Sequence, residues 1–122
     1  MSIKSQVFGL IDLVEHGKML EAMSAYYAQD VSMQENISPP TVGFAANYAR
    51  EEAFYGSLLA VNFKLVSVVT EGDRAVLNWI VGYTTADGKQ YRMDEIAVQT
   101  WRNGKIIKER YVYDSATLAR AA

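Results

Sequence analysis

The chain has no cysteine, only two prolines and a single histidine among its 122 residues. Without cysteine it can form no disulfide, no thiolate metal site and no cysteine nucleophile. His16 alone cannot build a site with several histidine ligands, and no spacing of carboxylates indicates another kind of metal site. No glycine-rich loop leads from a predicted strand into a helix, which argues against nucleotide binding of that kind. We therefore predict neither a metal nor a cofactor.

Concentrated positive charge and long apolar runs are also missing. The 12 basic residues are scattered among 14 acidic ones, and no cluster could follow a phosphate backbone, so nucleic acid is not an expected partner. Residues 1–20 lack the basic start and long apolar stretch of a signal peptide, and no segment approaches the roughly 18 apolar residues that span a bilayer. The expectation is a cytoplasmic protein without a membrane partner.

Half of the residues are apolar, which is typical of a folded domain, and a chain of this length suffices for one core. We predict a single domain over residues 1–122. In the first half, apolar residues at three- and four-residue spacing and an alanine-rich segment predict helices. Alternation predicts a short strand over residues 31–36. The predicted helices span residues 3–14, 18–28 and 44–59.

The second half is rich in β-branched and aromatic residues and is divided by short glycine-containing turns. This pattern predicts four strands joined as an antiparallel meander. The fold class is therefore α+β, with three N-terminal helices packed into the mouth of a strongly curved antiparallel sheet around a small apolar pocket. The tail over residues 115–122 is expected to be a short helical turn or a frayed end. The predicted strands span residues 61–70, 74–85, 90–101 and 105–113.

Three segments carry a resemblance to a known family: MSAYYAQDV at residues 23–31, the loop at 39–43, and WRNGKII running on to RYVYD within 101–114. With the order of elements, they resemble SnoaL-like members of the nuclear transport factor 2-like superfamily over nearly the whole chain. The resemblance implies a cone-shaped curved sheet wrapped around the helices, a pocket for a small, mostly apolar ligand, and a homodimer formed through the outer face of the sheet. It does not specify an activity, because this scaffold carries isomerases, cyclases, epoxide hydrolases, dehydratases and non-catalytic binding proteins.

Glu35 is the first catalytic candidate. By the resemblance, it falls where steroid isomerases of the superfamily carry a carboxylate general base, on a strand that lines the cavity. Burial raises the pKa of a carboxyl group toward the range in which it exchanges protons at neutral pH. The alternative is a glutamate that caps backbone groups or faces solvent. Because strand side chains alternate, Met33 would share the cavity face with Glu35 and contact the ligand.

Glu95 is the second catalytic candidate, on the predicted strand over residues 90–101. Matching the Asn103-Gly104 turn to epoxide hydrolases of the superfamily implies that Met93 and Glu95 face the pocket and that Asp94 lies outside. Two carboxyl groups in one small cavity push their pKa values apart, so that one donates a proton and the other accepts it. A slip of one residue in the register would exchange Glu95 for Asp94.

The complete catalytic sets of the superfamily are not present. Asp114 matches one aspartate of an Asp-Arg-Asp set in the epoxide hydrolases, but the positions of its partners hold Asn78 and Ile80. In the steroid-isomerase pattern, Leu10 and Ala97 stand near the positions of the oxyanion-binding tyrosine and the protonated aspartate. Asn78 and Asp114 remain candidate ligand contacts, with capping of the C-terminal turn as the structural alternative for Asp114.

Tyr27 and Tyr55 complete the candidate ligand contacts, since a tyrosine hydroxyl in a pocket can donate to a ligand carbonyl. We therefore predict a protein that binds a small apolar molecule and transfers a proton on it, as an isomerase or cyclase does. The alternative is a non-catalytic binding or dimerisation module whose cavity is filled by side chains such as Phe54, Met93 and Trp79.

Overall fold

The structure is a computed structural model that describes residues 2–116. Three helices lie in the first half of the chain, as the apolar spacing predicts, and two of them end earlier than expected because strand pairing begins there. Helix α2 gives way directly to a strand at Tyr27, and α3 ends two residues before Leu58 pairs with Thr85. The helices are α1 (Lys4–Glu15), α2 (Met19–Tyr26) and α3 (Phe44–Gly56).

Six strands form one open, curved sheet in the order β2-β1-β6-β5-β4-β3. Strands β3 to β6 pair as the predicted antiparallel meander, whereas β1 pairs with β6 in parallel, so the sheet is mixed rather than wholly antiparallel. The predicted α+β class, with a curved sheet and three N-terminal helices, is confirmed. The strands are β1 (Tyr27–Glu35), β2 (Thr41–Val42), β3 (Leu58–Glu71), β4 (Arg74–Thr85), β5 (Gln90–Arg102) and β6 (Lys105–Val112).

The turn between β5 and β6, together with a bulge beside it, determines which side chains of both strands face inward. Asn103 and Gly104 both have positive φ, at 53° and 76°, which is the geometry of a two-residue hairpin turn and which asparagine and glycine adopt most readily. Counting back from the Arg102–Lys105 pair would set Gln99 opposite Lys108, but a bulge next to Trp101 shifts the register by one residue, so that Gln99 lies opposite Glu109 and Ala97 opposite Tyr111. All four side chains therefore share one face of the sheet.

The core lies between the helices and the inner face of the sheet. Helix α2 has eight residues, and isolated helices shorter than about 12 residues are marginal in water, so packing rather than propensity stabilises it. Burying one leucine-sized side chain contributes roughly 1.5–3 kcal/mol. The buried residues follow helical spacing on α1 and strict alternation on β4; they are Val7, Leu10, Ile11 and Val14 on the helix and Ala75, Leu77, Trp79 and Val81 on the strand.

Two further expectations concern the ends of the chain and the membrane. Ser115 and Ala116 have the geometry of a tight helical turn, and the rest of the predicted 115–122 tail lies outside the described residues. Within residues 2–116, no helix has both the length and the apolar character needed to cross a bilayer.

Candidate functional site

A cavity of about 300 Å³ lies between the helices and the inner face of the sheet. Most of its wall is apolar or aromatic, with side chains from all three helices and from every strand except β2. Polar groups are few but chemically active. The charged or acidic residues that line it are Glu35, Glu51, Glu95, Glu109 and Arg50.

Glu109 is the centre of a buried hydrogen-bond network. Its side chain is only 2% exposed. Oε1 accepts hydrogen bonds from the hydroxyls of Tyr27 and of Tyr111, the latter at 2.6 Å. Oε2 accepts one from the Gln99 amide at 2.7 Å, and Gln99 in turn accepts from the Trp101 indole at 3.0 Å. Every carboxylate oxygen of Glu109 is therefore satisfied by the protein itself.

This burial also changes the proton affinities of the network. Burial raises the pKa of Glu109, although the hydrogen bonds from Tyr111, Tyr27 and Gln99 act in the opposite direction. Burial, followed by the nearby Glu109 charge, raises the pKa of Tyr27 and Tyr111 well above that of a free phenol. Both tyrosines therefore stay neutral and keep donating at any physiological pH.

Glu95 is also buried but has different surroundings from Glu109. It lies on β5 directly opposite Trp79 and is 7% exposed. Within residues 2–116, no side chain or backbone group forms a hydrogen bond with its carboxyl group at 3.5 Å or less. Burial first, and then the nearby carboxyl groups of Glu109, Glu35 and Glu51, raise the pKa of Glu95 to about 8.

Glu51 contributes a second carboxyl group that titrates near neutral pH. It lies on α3, is 8% exposed, and has an Oε1 atom 3.3 Å from Nη2 of Arg50. Burial raises the pKa of Glu51 to about 7, Arg50 opposes this shift, and Glu35 and Glu109 add to it.

Asn47, one turn earlier on the same helix, holds α3 in place by donating to the backbone oxygens of Thr41 and Gly43 at 3.0 and 2.8 Å.

Glu35 lies at the end of β1 with both carboxylate oxygens engaged. Oε2 is 2.6 Å from Nη1 of Arg50, and Oε1 accepts a hydrogen bond from the Tyr113 hydroxyl at 2.6 Å. Its side chain is 38% exposed, which places it where the cavity meets solvent. Asn36, with a φ of 51°, turns the chain there, and its Oδ1 accepts from the Tyr113 backbone at 2.9 Å, which brings Tyr113 beside Glu35.

The structure brings five of the eight sequence-predicted site residues to the cavity wall: Glu35, Glu95, Met93, Tyr27 and Tyr55. The alternation of β5 places Glu95 inside and leaves Asp94 exposed on the outer face. Burial raises the pKa of Tyr55 far above that of a free phenol, so this side chain is a neutral donor as well.

Met33, Asn78 and Asp114 lie away from the cavity wall. Met33 is fully buried in the core because α3 packs against β1 and covers the middle of that strand.

Asn78 faces outward, since Leu77 and Trp79 hold the inward positions of β4, and its Nδ2 donates to Asp94 Oδ1 at 2.7 Å. The exposed Asp114 accepts from the Ala116 backbone at 3.0 Å, as a residue that caps a turn does.

Sequence reasoning missed Glu51, Glu109 and Arg50. Glu109 stands between Lys108 and Arg110 in a charged stretch that resembles a solvated strand, and only its register opposite Gln99 shows that it points inward. A signal for Glu51 was available in its four-residue spacing from Asn47 and Tyr55, which places three polar residues on one face of α3.

No arrangement of three or more histidine, cysteine, aspartate or glutamate side chains suited to a metal ion is found in the part of the chain that the structure describes.

Comparison of the sequence with known protein families identifies one matching family. The chain matches the family model of the SnoaL-like domain over residues 7–109. No curated protein matches the sequence.

Three solved structures illustrate how widely this fold is used. A proposed SnoaL-like polyketide cyclase from Jannaschia sp. CCS1 superposes with a TM-score of 0.84 at 14% identity, covering 97% of this chain and 91% of that one. An NTF2-like protein of unknown function from Burkholderia pseudomallei K96243 gives 0.85 at 17% identity over 99% and 98%. An LEH-like epoxide hydrolase from M. tuberculosis gives 0.78 at 10% identity over 94% and 84%. At these identities the likeness concerns the fold alone.

Proposed function

Because the chain belongs to the SnoaL-like domain family, we propose that it binds a small, largely apolar molecule in its cavity and transfers a proton on that molecule. The size and the apolar wall of the cavity support the binding part of the proposal. The acidic groups that line the same cavity support the chemical part.

The observation that carries the proposal is the isolated carboxyl group of Glu95. A group with a pKa of about 8 changes its protonation state close to neutral pH, which is the property of an effective general acid or base. At pH 7 it is mostly protonated and can donate to an oxygen of a bound molecule, and after donation it can take a proton back. Because no group within residues 2–116 forms a hydrogen bond with this carboxyl group, it is available to bind the ligand.

Two other carboxyl groups are candidates to act with Glu95. The pKa of Glu51 is about 7, below that of Glu95, so at neutral pH Glu51 can be ionised while Glu95 is protonated. Glu35 remains the second acid–base candidate, but a ligand must first displace Arg50 or Tyr113 from its oxygens. We therefore assign proton transfer to Glu95 first.

Deuterium exchange tests the proposal without knowledge of the natural substrate. The probe is 1-tetralone, a bicyclic aromatic ketone whose acidic C–H groups exchange slowly in D2O and can be followed by NMR. Wild-type protein should accelerate the exchange and Glu95→Gln should lose most of that acceleration, about a hundredfold, as expected for one positioned acid–base group. Asp94→Asn, on the outer face of the same strand, is the matched control and should exchange as wild type.

The same experiment separates the alternative, a non-catalytic binding module. Phe54, Trp79 and Met93 lie on the wall and leave the cavity open, so a ligand can enter under either proposal. Thermal stabilisation by 1-tetralone without any accelerated exchange would contradict proton transfer and favour simple binding, because a ligand that binds only the native state must stabilise it.

The proposal extends to a homodimer formed through the outer face of the sheet. Val69, Val76 and Val98 lie opposite one another across β3, β4 and β5 and form an apolar row on the face away from the helices, of which Val69 is 65% exposed. Apolar rows of this kind are usually covered. Size-exclusion chromatography with light scattering tests this part, and a monomer at high protein concentration would contradict it.

A further inference from the structure

We propose that the ligand of the cavity carries a basic nitrogen and binds as a cation between the Glu95 carboxylate and the aromatic wall. This inference rests on the proposal that the cavity binds a small, largely apolar molecule, and it adds the chemical class of that molecule. It is independent of whether a proton is then transferred in catalysis.

The charge balance of the lining supports a cation. Four carboxyl groups line the cavity, and among the lining residues that the structure describes Arg50 is the single cation. The guanidinium is already occupied, with Nη1 on Glu35 at 2.6 Å and Nη2 near Glu51 at 3.3 Å. Its Nε atom is buried and out of reach of a ligand. A carboxylate or phosphate ligand would therefore have to compete with Glu35 and Glu51 for this single guanidinium.

Glu95 supplies the second, independent observation. More than nine-tenths of this residue is buried, it lines the cavity, and its carboxyl group has no hydrogen-bond partner among residues 2–116. The carboxyl oxygens are not among the fully buried unpartnered atoms of the described residues, so they face the open space of the cavity, where a ligand can reach them. A bound ammonium group would offer up to three N–H donors and would form a charge-assisted hydrogen bond, which is stronger than a neutral one.

The surroundings of Glu95 add a further preference for a cation. Trp79 stands directly opposite it on β4, and Phe63, Tyr55 and Tyr83 lie on the same wall. The face of an aromatic ring attracts a cation, and the rings of Trp79 and Phe63 meet in a T-shaped arrangement with their centroids 6.0 Å apart. The apolar part of the ligand and its charged group can thus be held by the same wall.

Electrostatics gives the expected order of ligands. The groups that act on Glu95 are Glu109, Glu35 and Glu51, all acidic. An anionic ligand adds another like charge, a neutral ligand changes little, and a cation offsets the repulsion. Since Glu95 is mostly protonated at pH 7, a cationic ligand should also displace a proton from the cavity when it binds.

A set of three isosteric probes tests the inference: 1-naphthylmethylamine, 1-naphthylmethanol and 1-naphthoate. Isothermal titration calorimetry at pH 7.5, in two buffers with different ionisation enthalpies, measures both affinity and proton release. The amine should bind about tenfold or more tighter than the alcohol, with release of protons, and the carboxylate should bind weakest.

Variants identify the group that is responsible. Glu95→Gln should bring the affinity for the amine down to that for the alcohol and leave the alcohol unchanged, whereas Asp94→Asn should keep the full preference for the amine. Circular dichroism confirms that both variants are folded.

Equal or tighter binding of the alcohol, a preference for the amine that survives in Glu95→Gln, or no binding of any probe would overturn the inference. Equal binding of alcohol and amine together with exchange of 1-tetralone would leave the proposed proton transfer standing. Selective binding of the amine without exchange would overturn catalysis and support the cationic ligand.

Discussion

Glu109 and Glu95 occupy neighbouring strands, face the same cavity and are 2% and 7% exposed, yet their environments are opposite. Glu109 accepts hydrogen bonds from Tyr27, Tyr111 and Gln99. Glu95 has no such partner within residues 2–116. A buried acid that the protein satisfies serves the fold, whereas one that the protein leaves unsatisfied has its full bonding capacity available for a ligand. The region of the cavity around Glu109 therefore stabilises the fold, and the region around Glu95 is available for ligand binding and proton transfer.

The strongest test of this comparison is Glu109→Ala. It would leave two tyrosine hydroxyls and the Gln99 amide buried without an acceptor, and we expect a loss of about 4 kcal/mol in the free energy of unfolding. Urea denaturation measures it. Glu109→Gln keeps the acceptor for Tyr27 and Tyr111 but sets an amide against the Gln99 amide, so it should lose less. A loss below about 1 kcal/mol for the alanine variant would show that the network does not support the fold.

The next largest effect is expected for Glu95→Gln, and it has the opposite sign, because this substitution should stabilise the fold at high pH. The pKa of Glu95 is about 8 in the folded protein and about 4.3 in an unfolded chain, so the folded state binds more protons between these values and loses stability as the pH rises through that range. Glu95→Gln removes this dependence. Relative to wild type, the variant should gain about 3.5 kcal/mol between pH 5 and pH 8, and the gain should level off near pH 9. A pH-independent difference between the two proteins would contradict the raised pKa.

Glu51 should show a smaller version of the same behaviour. Its pKa of about 7 lies lower because Arg50 opposes the effect of burial. The stability difference between Glu51→Gln and wild type should therefore change by about 2 kcal/mol from pH 5 to pH 8 and should level off about one pH unit earlier than that of Glu95→Gln. Urea titrations at half-unit pH intervals distinguish the two curves. Identical midpoints would mean that Arg50 does not act on Glu51.

The smallest effect is expected at Glu35, which is partnered but partly exposed. Tyr113→Phe removes the hydroxyl that donates to Glu35 Oε1 and should cost about 0.5–1 kcal/mol, because solvent can replace the lost hydrogen bond. Thermal unfolding measures this change. A loss as large as that of Glu109→Ala would place Glu35 with the structural group and remove it from the candidates for catalysis.

The sequence predicts the elements of this fold better than their pairing. Apolar periodicity locates the helices, and the Asn103-Gly104 turn locates the hairpin between β5 and β6, because both signals are local. The parallel pairing of β1 with β6 joins residues about 80 positions apart, and no local pattern encodes it. The earlier ends of α2 and α3 have the same origin, since strand pairing overrides helix propensity there.

Part of the site was predictable from the resemblance. Matching the Asn103-Gly104 turn to related enzymes implies that Met93 and Glu95 face the pocket, and both line the cavity. The same kind of matching gave the wrong residue on β4, where Leu77 and Trp79 take the inward positions and Asn78 faces outward. Glu109 was missed because its charged neighbours resemble an exposed strand, and its burial depends on tyrosines from two strands that only the fold brings together.

The placement of the two tryptophans has a practical consequence. Trp79 stands on the cavity wall opposite Glu95, while the indole of Trp101 is hydrogen-bonded through Gln99 to Glu109. The chain has no other tryptophan. Its intrinsic fluorescence therefore contains two separate optical reporters, and replacing either indole with phenylalanine leaves one emitter that follows occupancy of the cavity or one that follows the integrity of the buried network.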